Sequence, residues 1–151
     1  YPNLLITRTF SKIYGLAGFR LGYGIGSEEV IQTMYKVRQP FNVNKLAIAA
    51  GELALKNQSH LQASKMLNFE QKNFLYGALD ALKIDYLKTQ SNSIWINLEK
   101  DAQEAASFFL MNGIIIRPLN SFNFPHAIRL TVGMPEHNVL FIEVLKKYLN
   151  R

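Results

Sequence analysis

The sequence predicts an α/β fold, because short apolar runs of strand length alternate with stretches in which apolar residues recur at helical spacing. The second half of the chain predicts an α+β unit whose small sheet is covered by helices. We therefore expect two domains, residues 1–40 and residues 41–151.

The first domain begins with an apolar run at residues 3–6, and a second strand is predicted at residues 20–26. Ser27 suits the N-cap of the next helix, since its hydroxyl can accept a backbone hydrogen bond and two glutamates follow in the first turn. Pro40 ends this helix, because proline lacks the N–H that a helix interior needs.

The sequence of residues 41–151 predicts four more helices and three strands. Asn42 and Asn44 precede the first of these helices, where they could satisfy backbone groups or reach a ligand, and the pattern favours the structural role. The small residues of that helix, which include Ala47 and Gly51, would let a neighbouring segment approach closely. The expected elements are helices at 45–56, 61–82, 101–111 and 135–149, and strands at 94–98, 114–117 and 127–132.

Composition excludes several classes of protein. The 151 residues carry a net charge of +6, but the basic residues are scattered and only Lys146 and Lys147 are adjacent, so a nucleic-acid footprint is not indicated. The chain has no cysteines and no apolar run long enough for a membrane span, so we expect a cytoplasmic protein without a membrane partner. It begins at Tyr1 with a strand almost at once, and we expect a fragment of a longer protein.

The richest chemistry lies in the segment from Thr7 to Gly26, which combines a lysine, an arginine and several hydroxyls with flexible glycines. Lys12 is a candidate nucleophile, because the neutral amine of a partly buried lysine attacks carbonyl carbons. Arg20 has the planar fork of donors that suits a phosphate, and Thr9 and Ser11 could add hydroxyl donors. This set of residues predicts a site for an aldehyde that carries a phosphate.

Other interpretations of the same segment are weaker. A lysine after a serine in a loop is often simply solvated, and Lys12 by itself would not indicate catalysis. Gly22, Gly24 and Gly26 do not have the G-x-G-x-x-G spacing of a dinucleotide site, and acidic residues follow where a pyrophosphate would lie. No nucleophile elbow surrounds Ser11, which excludes a serine hydrolase of that kind.

The three histidines, His60, His126 and His137, do not have the spacing of metal ligands. We expect them to be surface or loop residues without a functional role, and we expect no metal site.

The pattern T-x-S-K followed by GLAG-x-R-x-GY resembles the Schiff-base signature of fold-type I, class I/II aminotransferases that depend on pyridoxal 5′-phosphate. The segments 38–44 (RQPFNVN) and 128–133 (IRLTVG) extend the resemblance, which is greatest to the histidinol-phosphate aminotransferase branch. It implies an aspartate aminotransferase-like fold, with residues 1–40 ending the large cofactor domain. It further implies that Lys12 forms a Schiff base with the cofactor, while Thr9, Ser11 and Arg20 bind its phosphate.

Two arginines later in the chain are the other candidates for binding residues. Arg117 and Arg129 are flanked by apolar residues that would partly desolvate them, so each needs an anion, from the chain's own carboxylates or from a ligand. The resemblance implies that Arg129 binds the anionic group of the substrate and that Arg117 binds the phosphate of histidinol phosphate or a carboxylate of glutamate. The implied reaction converts histidinol phosphate and 2-oxoglutarate to imidazole acetol phosphate and glutamate, in histidine biosynthesis.

The resemblance covers only the C-terminal part of such an enzyme, which would be a homodimer. The acidic partner of the pyridine nitrogen is not near the lysine, since the only aspartates are Asp80, Asp85 and Asp101. We therefore expect this chain alone to be inactive or nearly so. Three alternatives stay open: a threonine-phosphate decarboxylase, another class I/II aminotransferase of the aromatic or aspartate type, and a non-catalytic folded fragment or interaction module.

Overall fold

The computed structural model describes residues 1–150, and the chain forms two compact units, Tyr1–Lys65 (unit 1) and Met66–Arg151 (unit 2). The predicted boundary after residue 40 concerns the domains of a complete enzyme and stays a prediction. Within residues 1–150, no helix combines the length and apolarity that a membrane span requires.

Unit 1 begins with a two-stranded antiparallel sheet. Strand β1 (Leu5–Thr9) pairs with β2 (Gly22–Gly26), and the loop between them contains a short 3-10 helix, Ala17–Phe19. β1 starts two residues later than predicted and continues to Thr9, because the first residues form a turn in which the Leu4 amide donates to the Tyr1 carbonyl. β2 starts at Gly22 rather than at residue 20, since residue 20 closes the 3-10 turn with a positive φ of 53°.

Two whole helices follow in unit 1, which also includes the start of a third, and side-chain caps fix where the two begin. Helix α1 (Glu28–Val37) has Ser27 as its N-cap, with the Val30 amide donating to the Ser27 hydroxyl, as predicted. Helix α2 (Lys45–Lys56) has Asn44 as its N-cap, and its Oδ1 accepts from a backbone amide at 2.8 Å. Asn44 therefore has the structural role that the sequence predicted.

Unit 2 is built around a four-stranded sheet. Its strands are β3 (Tyr86–Leu87), β4 (Ser93–Asn97), β5 (Arg117–Leu119) and β6 (Phe124–Thr131), in the spatial order β3-β4-β6-β5, and every pair is antiparallel. Helices α4 (Ala102–Met111) and α5 (Pro135–Leu149) accompany it, as does the part of α3 (Gln58–Ala81) from Met66 onward.

The core of unit 2 lies between these helices and one face of the sheet. Alternate residues of the two central strands are buried, and the helices contribute large apolar side chains to the same cluster. The main members are Leu75, Leu79, Ile94, Ile96, Phe109, Ile128, Leu130, Phe141 and Leu145. This arrangement is the helix-covered small sheet that the alternating pattern predicted.

Two predictions about the strands of unit 2 are wrong in detail. β3 was not predicted, because two residues are too few to show an alternating pattern. The strand expected at 114–117 instead occupies Arg117–Leu119. The Ile114 amide donates to the Phe109 carbonyl at 2.9 Å, so the chain first completes the end of α4 and joins the sheet only afterwards.

Candidate active site

Lys12 begins a tight turn directly after β1. The Gly15 amide donates to the Lys12 carbonyl at 2.8 Å, and the Leu16 amide donates to the Phe10 carbonyl at 3.0 Å. Gly15 has a φ of +69°, a conformation that residues with a Cβ rarely adopt. The Lys12 side chain is exposed rather than partly buried, and its amine makes no hydrogen bond or ion pair with any residue from 1 to 150. The amine is therefore available to a ligand.

The hydroxyls of Thr9 and Ser11 meet beside this turn. Thr9 Oγ1 accepts from the Ser11 amide at 3.0 Å and donates to Ser11 Oγ at 2.9 Å. Because the Ser11 hydroxyl accepts that bond, its own proton stays free to donate to an anion.

Arg20 lies at the other end of the same loop. Its Nη1 donates to the Ala17 carbonyl at 2.6 Å, which leaves the other donors of the exposed guanidinium free. Gly22, two residues further on, is the sheet partner of Thr9. The hairpin register therefore brings the backbone of Arg20 to the end of the sheet that carries the two hydroxyls.

Phe10 anchors the lysine turn, and the sequence did not identify it. Its side chain is 3% exposed, and its amide donates to the Leu21 carbonyl at 3.1 Å. A Cβ added to Gly51 of α2 would overlap Leu21 Cδ2 but would only touch the Phe10 ring at 3.6 Å, so the small residue lets the Leu21 side chain approach the helix beside the ring. The ring also lies 4.9 Å from the Tyr14 ring, centroid to centroid. The close approach predicted for α2 is thus made by Leu21, whose carbonyl accepts the hydrogen bond from the Phe10 amide.

His60 is a second residue that the sequence did not assign to the site. It lies in the first turn of α3, and its Nε2 is 3.0 Å from the Ile13 carbonyl oxygen, 47 residues away in sequence. A carbonyl oxygen only accepts, so Nε2 carries the proton in this contact. His60 therefore holds the residue next to Lys12, and no local pattern in the sequence could have indicated this contact.

The electrostatics of the loop favour an anion. No acidic residue occurs between Leu5 and Gly26, whereas Arg8, Lys12 and Arg20 are all cationic. Free hydroxyl and guanidinium donors accompany the unengaged amine. This donor set fits a small aldehyde that carries a phosphate.

Arg117 and Arg129 form a second cluster, in unit 2. They are direct cross-strand partners on β5 and β6, so their side chains project from the same face of the sheet. Trp95 is the partner of Arg129 on the other side, and its Nε1 is buried without an acceptor. The predicted desolvation of the two arginines is wrong, because both are exposed on the face opposite the core.

Neither arginine is paired with a carboxylate from the part of the chain that the structure describes. Among residues 1–150, the guanidinium groups of Arg117 and Arg129 make no hydrogen bond and no ion pair. Over the same range, no group of three or more His, Cys, Asp or Glu side chains is arranged to hold a metal ion.

Comparison with known proteins places this chain in a family. The model of the family described as "Aminotransferase class I and II" matches residues 1–141. This chain belongs to the class I and II aminotransferases. The histidinol-phosphate aminotransferase of Symbiobacterium thermophilum is 44% identical to it over 149 residues, which are 99% of this chain and 41% of that protein. The chain therefore spans about two-fifths of the length of this relative.

Solved aminotransferase structures share the fold. The histidinol-phosphate aminotransferase of Clostridium acetobutylicum matches 99% of this chain and 47% of its own with a TM-score of 0.91, and at 23% identity it is evidence for the fold alone. The enzyme of Sinorhizobium meliloti, solved in complex with pyridoxal 5′-phosphate, is 26% identical with a TM-score of 0.83, over 97% of this chain and 42% of that one. The predicted fold class, α/β of the aspartate aminotransferase-like kind, is confirmed.

Proposed function

We propose that this aminotransferase chain is the cofactor-lysine and substrate-arginine part of a histidinol-phosphate aminotransferase. The reaction would transfer the amino group of histidinol phosphate to 2-oxoglutarate, which gives imidazole acetol phosphate and glutamate. The 44% identity to an enzyme of that name supports the assignment. The proposal includes a homodimer in the cytoplasm that acts on small molecules in histidine biosynthesis, and the scattered basic residues favour no nucleic-acid partner.

The lysine turn would hold pyridoxal 5′-phosphate. The free amine of Lys12 would bind the aldehyde, while Ser11 and Arg20 would donate hydrogen bonds to the phosphate and Thr9 would orient the Ser11 hydroxyl by donating to it. When bound, this cofactor supplies an electron sink for the substrate's α-carbon. The amine of Lys12, once released, would carry the proton that leaves that carbon. Phe10 and His60 would fix the turn from which Lys12 projects.

The pair of Arg117 and Arg129 is the single observation that carries the substrate class. Two guanidinium groups stand opposite each other with no carboxylate partner, and like charges in this arrangement repel. A phosphate or carboxylate offsets that repulsion and can be bound through two parallel hydrogen bonds. An enzyme that alternates between a phosphate ester and a dicarboxylate needs this kind of anion site.

We also propose that the chain by itself transaminates little or not at all. The pyridine nitrogen of the cofactor requires an acidic partner, and the three aspartates of this chain all lie in unit 2. Asp101 is occupied as the N-cap of α4, where it accepts from the amides of Gln103 and Glu104. Appreciable transamination by the isolated chain would contradict this part of the proposal.

Borohydride trapping tests the cofactor assignment. The chain is incubated with pyridoxal 5′-phosphate, reduced, digested and mapped, beside Lys12→Ala and the control variant Lys36→Ala, in which an exposed helical lysine is removed. We expect a reduction-stable pyridoxyl label on Lys12 that Lys12→Ala loses and Lys36→Ala keeps. A label spread evenly over exposed lysines, with no preference for Lys12, would contradict the assignment.

Ligand binding tests the substrate assignment. Thermal unfolding is followed for the native chain, Arg129→Gln and the control Lys88→Gln. The ligands are histidinol phosphate, 2-oxoglutarate, L-threonine O-phosphate and histidinol, which lacks the phosphate. We expect histidinol phosphate and 2-oxoglutarate to raise the Tm of the native and control chains only. A larger rise in Tm with L-threonine O-phosphate than with histidinol phosphate would favour the decarboxylase alternative. Rises in Tm as large in Arg129→Gln as in the native chain would show that Arg129 does not bind the substrate.

A further inference from the structure

One row of residues crosses the whole sheet of unit 2 on the face that its helices leave open. Leu87 of β3 pairs with Trp95 of β4, which pairs in turn with Arg129 of β6. Arg129 pairs with Arg117 of β5. Directly paired residues project from the same face of a sheet, so these side chains form a line from one edge strand to the other. The row therefore has an apolar half and a cationic half.

The apolar half of this row is open to a ligand. Leu87 is 59% exposed, and the Trp95 side chain is partly exposed. The Phe124 ring packs edge-on against the Trp95 ring, with the centroids 5.9 Å apart and the ring planes at 79°. This aromatic contact supports the indole from one side. The indole N–H is buried without an acceptor, so a ligand on this face would meet the ring and not the N–H.

The cationic half of the row needs an anion from a ligand. The four strands contain no acidic residue. The guanidinium groups of Arg117 and Arg129 have no carboxylate partner among residues 1–150. Neighbouring strands lie about 4.8 Å apart, so an anion bound by Arg129 would lie about one strand spacing from the Trp95 ring. A ligand that fills both halves therefore combines an anionic group with an aromatic ring a few bonds away.

We propose that Trp95 is a specificity-determining residue for the amino donor: the aromatic ring of the donor packs on the indole while Arg117 and Arg129 bind its anionic group. In histidinol phosphate a short carbon chain separates the phosphate from the imidazole ring, and it can span the offset between two strands. L-Threonine O-phosphate has the anion but no ring, so it would leave Trp95 uncovered. The inference rests on the proposed function for the anion site, and it adds the choice among anionic donors.

Two matched ligands separate the contribution of the ring from that of the anion. O-Phosphoethanolamine is histidinol phosphate without its imidazolylmethyl group, so it tests the anion site alone. Trp95 is the only tryptophan of the chain, and its fluorescence therefore reports directly on this surface. Each ligand is titrated into the native chain with fluorescence detection, which needs no substitution and so tests the proposal even if a variant fails to fold.

Calorimetry with the same two ligands then compares the native chain with substituted chains. Trp95→Leu removes the aromatic ring, whereas Trp95→Phe retains a ring without the N–H. Arg129→Gln removes one guanidinium of the anion site. The control is Phe69→Leu, which removes an exposed aromatic ring from α3 and leaves the sheet unchanged.

We expect the native chain to bind histidinol phosphate about two- to tenfold more tightly than O-phosphoethanolamine, which is the usual contribution of one aromatic pair. Histidinol phosphate should also change the Trp95 fluorescence saturably and more than O-phosphoethanolamine does. Trp95→Leu should lose this preference and keep its affinity for O-phosphoethanolamine. Trp95→Phe and Phe69→Leu should retain most of the preference, and Arg129→Gln should weaken the binding of both ligands.

The possible failures of this inference and of the proposed function differ. Equal affinity of the native chain for the two ligands, or an undiminished preference in Trp95→Leu, would overturn the role of Trp95 and leave the anion site intact. A preference lost as fully in Trp95→Phe as in Trp95→Leu would also overturn it, because an aromatic ring is still present. Failure of the native chain to bind either phosphate ligand would overturn the anion site and this inference together.

Discussion

Arg117 and Arg129 face each other directly across β5 and β6, with no acidic residue among 1–150 paired to either. Cross-strand neighbours of like charge destabilise a sheet, so we expect the pair to lower the stability of unit 2. The cost is consistent with a binding role, in which a bound anion supplies the missing negative charge.

The arginine pair predicts an anion-dependent stability. Arg129→Gln should leave unit 2 as stable as the native chain in chloride, or more stable by a few tenths of a kcal/mol, because the repulsion is removed. Inorganic phosphate at equal ionic strength should raise the Tm of the native chain but not of Arg129→Gln. Lys88→Gln, which removes an exposed charge from a loop, should respond to phosphate as the native chain does. An equal phosphate effect in all three chains would indicate ionic strength alone.

The lysine turn should depend on Gly15. Its φ of +69° disfavours any side chain, although nothing lies within 4 Å of a Cβ added there. Gly15→Ala should cost about 1 kcal/mol locally, which corresponds to roughly fivefold faster hydrogen exchange of the Leu16 amide that closes the turn. Gly18→Ala is the matched control, since Gly18 has equally open space and no positive φ. Equal effects of the two substitutions would rule out backbone conformation as the cause.

His60 should act on Lys12 through the Ile13 carbonyl. His60→Ala removes the donor of a 3.0 Å contact, which is worth about 0.5–1.5 kcal/mol, and should slow pyridoxyl labelling of Lys12. His60→Gln retains an N–H donor at a similar distance from the backbone and should restore much of the rate. His126→Ala, an exposed histidine in unit 2, should have no effect. Failure of glutamine to rescue the rate would favour a role for the imidazole other than this hydrogen bond.

Tyr148 should make stability fall in alkaline solution. Burial, with smaller contributions from Glu104 and Asp101, raises the pKa of Tyr148 above its usual value of 10.0. The folded state therefore holds this proton more tightly than the unfolded state, so stability is full below pH 10 and declines as the pH rises above it. Tyr148→Phe should flatten that decline in urea unfolding curves. The residual decline is expected from Tyr86, whose pKa is also raised by burial and by Asp80.

The same substitution should cost little at neutral pH. The hydroxyl of Tyr148 is buried without a hydrogen-bond partner, so its removal relieves an unsatisfied polar group and leaves the ring in place. Tyr35→Phe, which changes an exposed tyrosine on α1, is the control for a general effect of the substitution. A loss of several kcal/mol in Tyr148→Phe near neutrality would show that the hydroxyl has a partner in solution.

The sequence by itself determined the features that depend on near neighbours in the chain. The bounds of α2 and α5 agree with prediction to the residue, because Asn44 and Pro135 mark helix starts through local backbone chemistry. The alternation in β4 identified its buried face. The resemblance of the T-x-S-K and GLAG-x-R-x-GY motif, with segments 38–44 and 128–133, already indicated the family, since such motifs are local patterns. Whether Thr9, Ser11, Lys12, Arg20, Arg117 and Arg129 bind ligands stays a prediction for the experiments above.

Only the tertiary structure decided the contacts between distant residues. The register that sets Arg117 opposite Arg129 depends on how β5 leaves the end of α4, and the strand was expected three residues earlier. The contact from His60 to the lysine turn joins segments 47 residues apart. The exposure of Arg117 and Arg129 also depends on the tertiary structure. The helices of unit 2 cover the face of its sheet opposite these two arginines, so they are open to solvent although the sequence predicted partial burial. Side-chain burial is a property of packed elements, and a single sequence records only their periodicity.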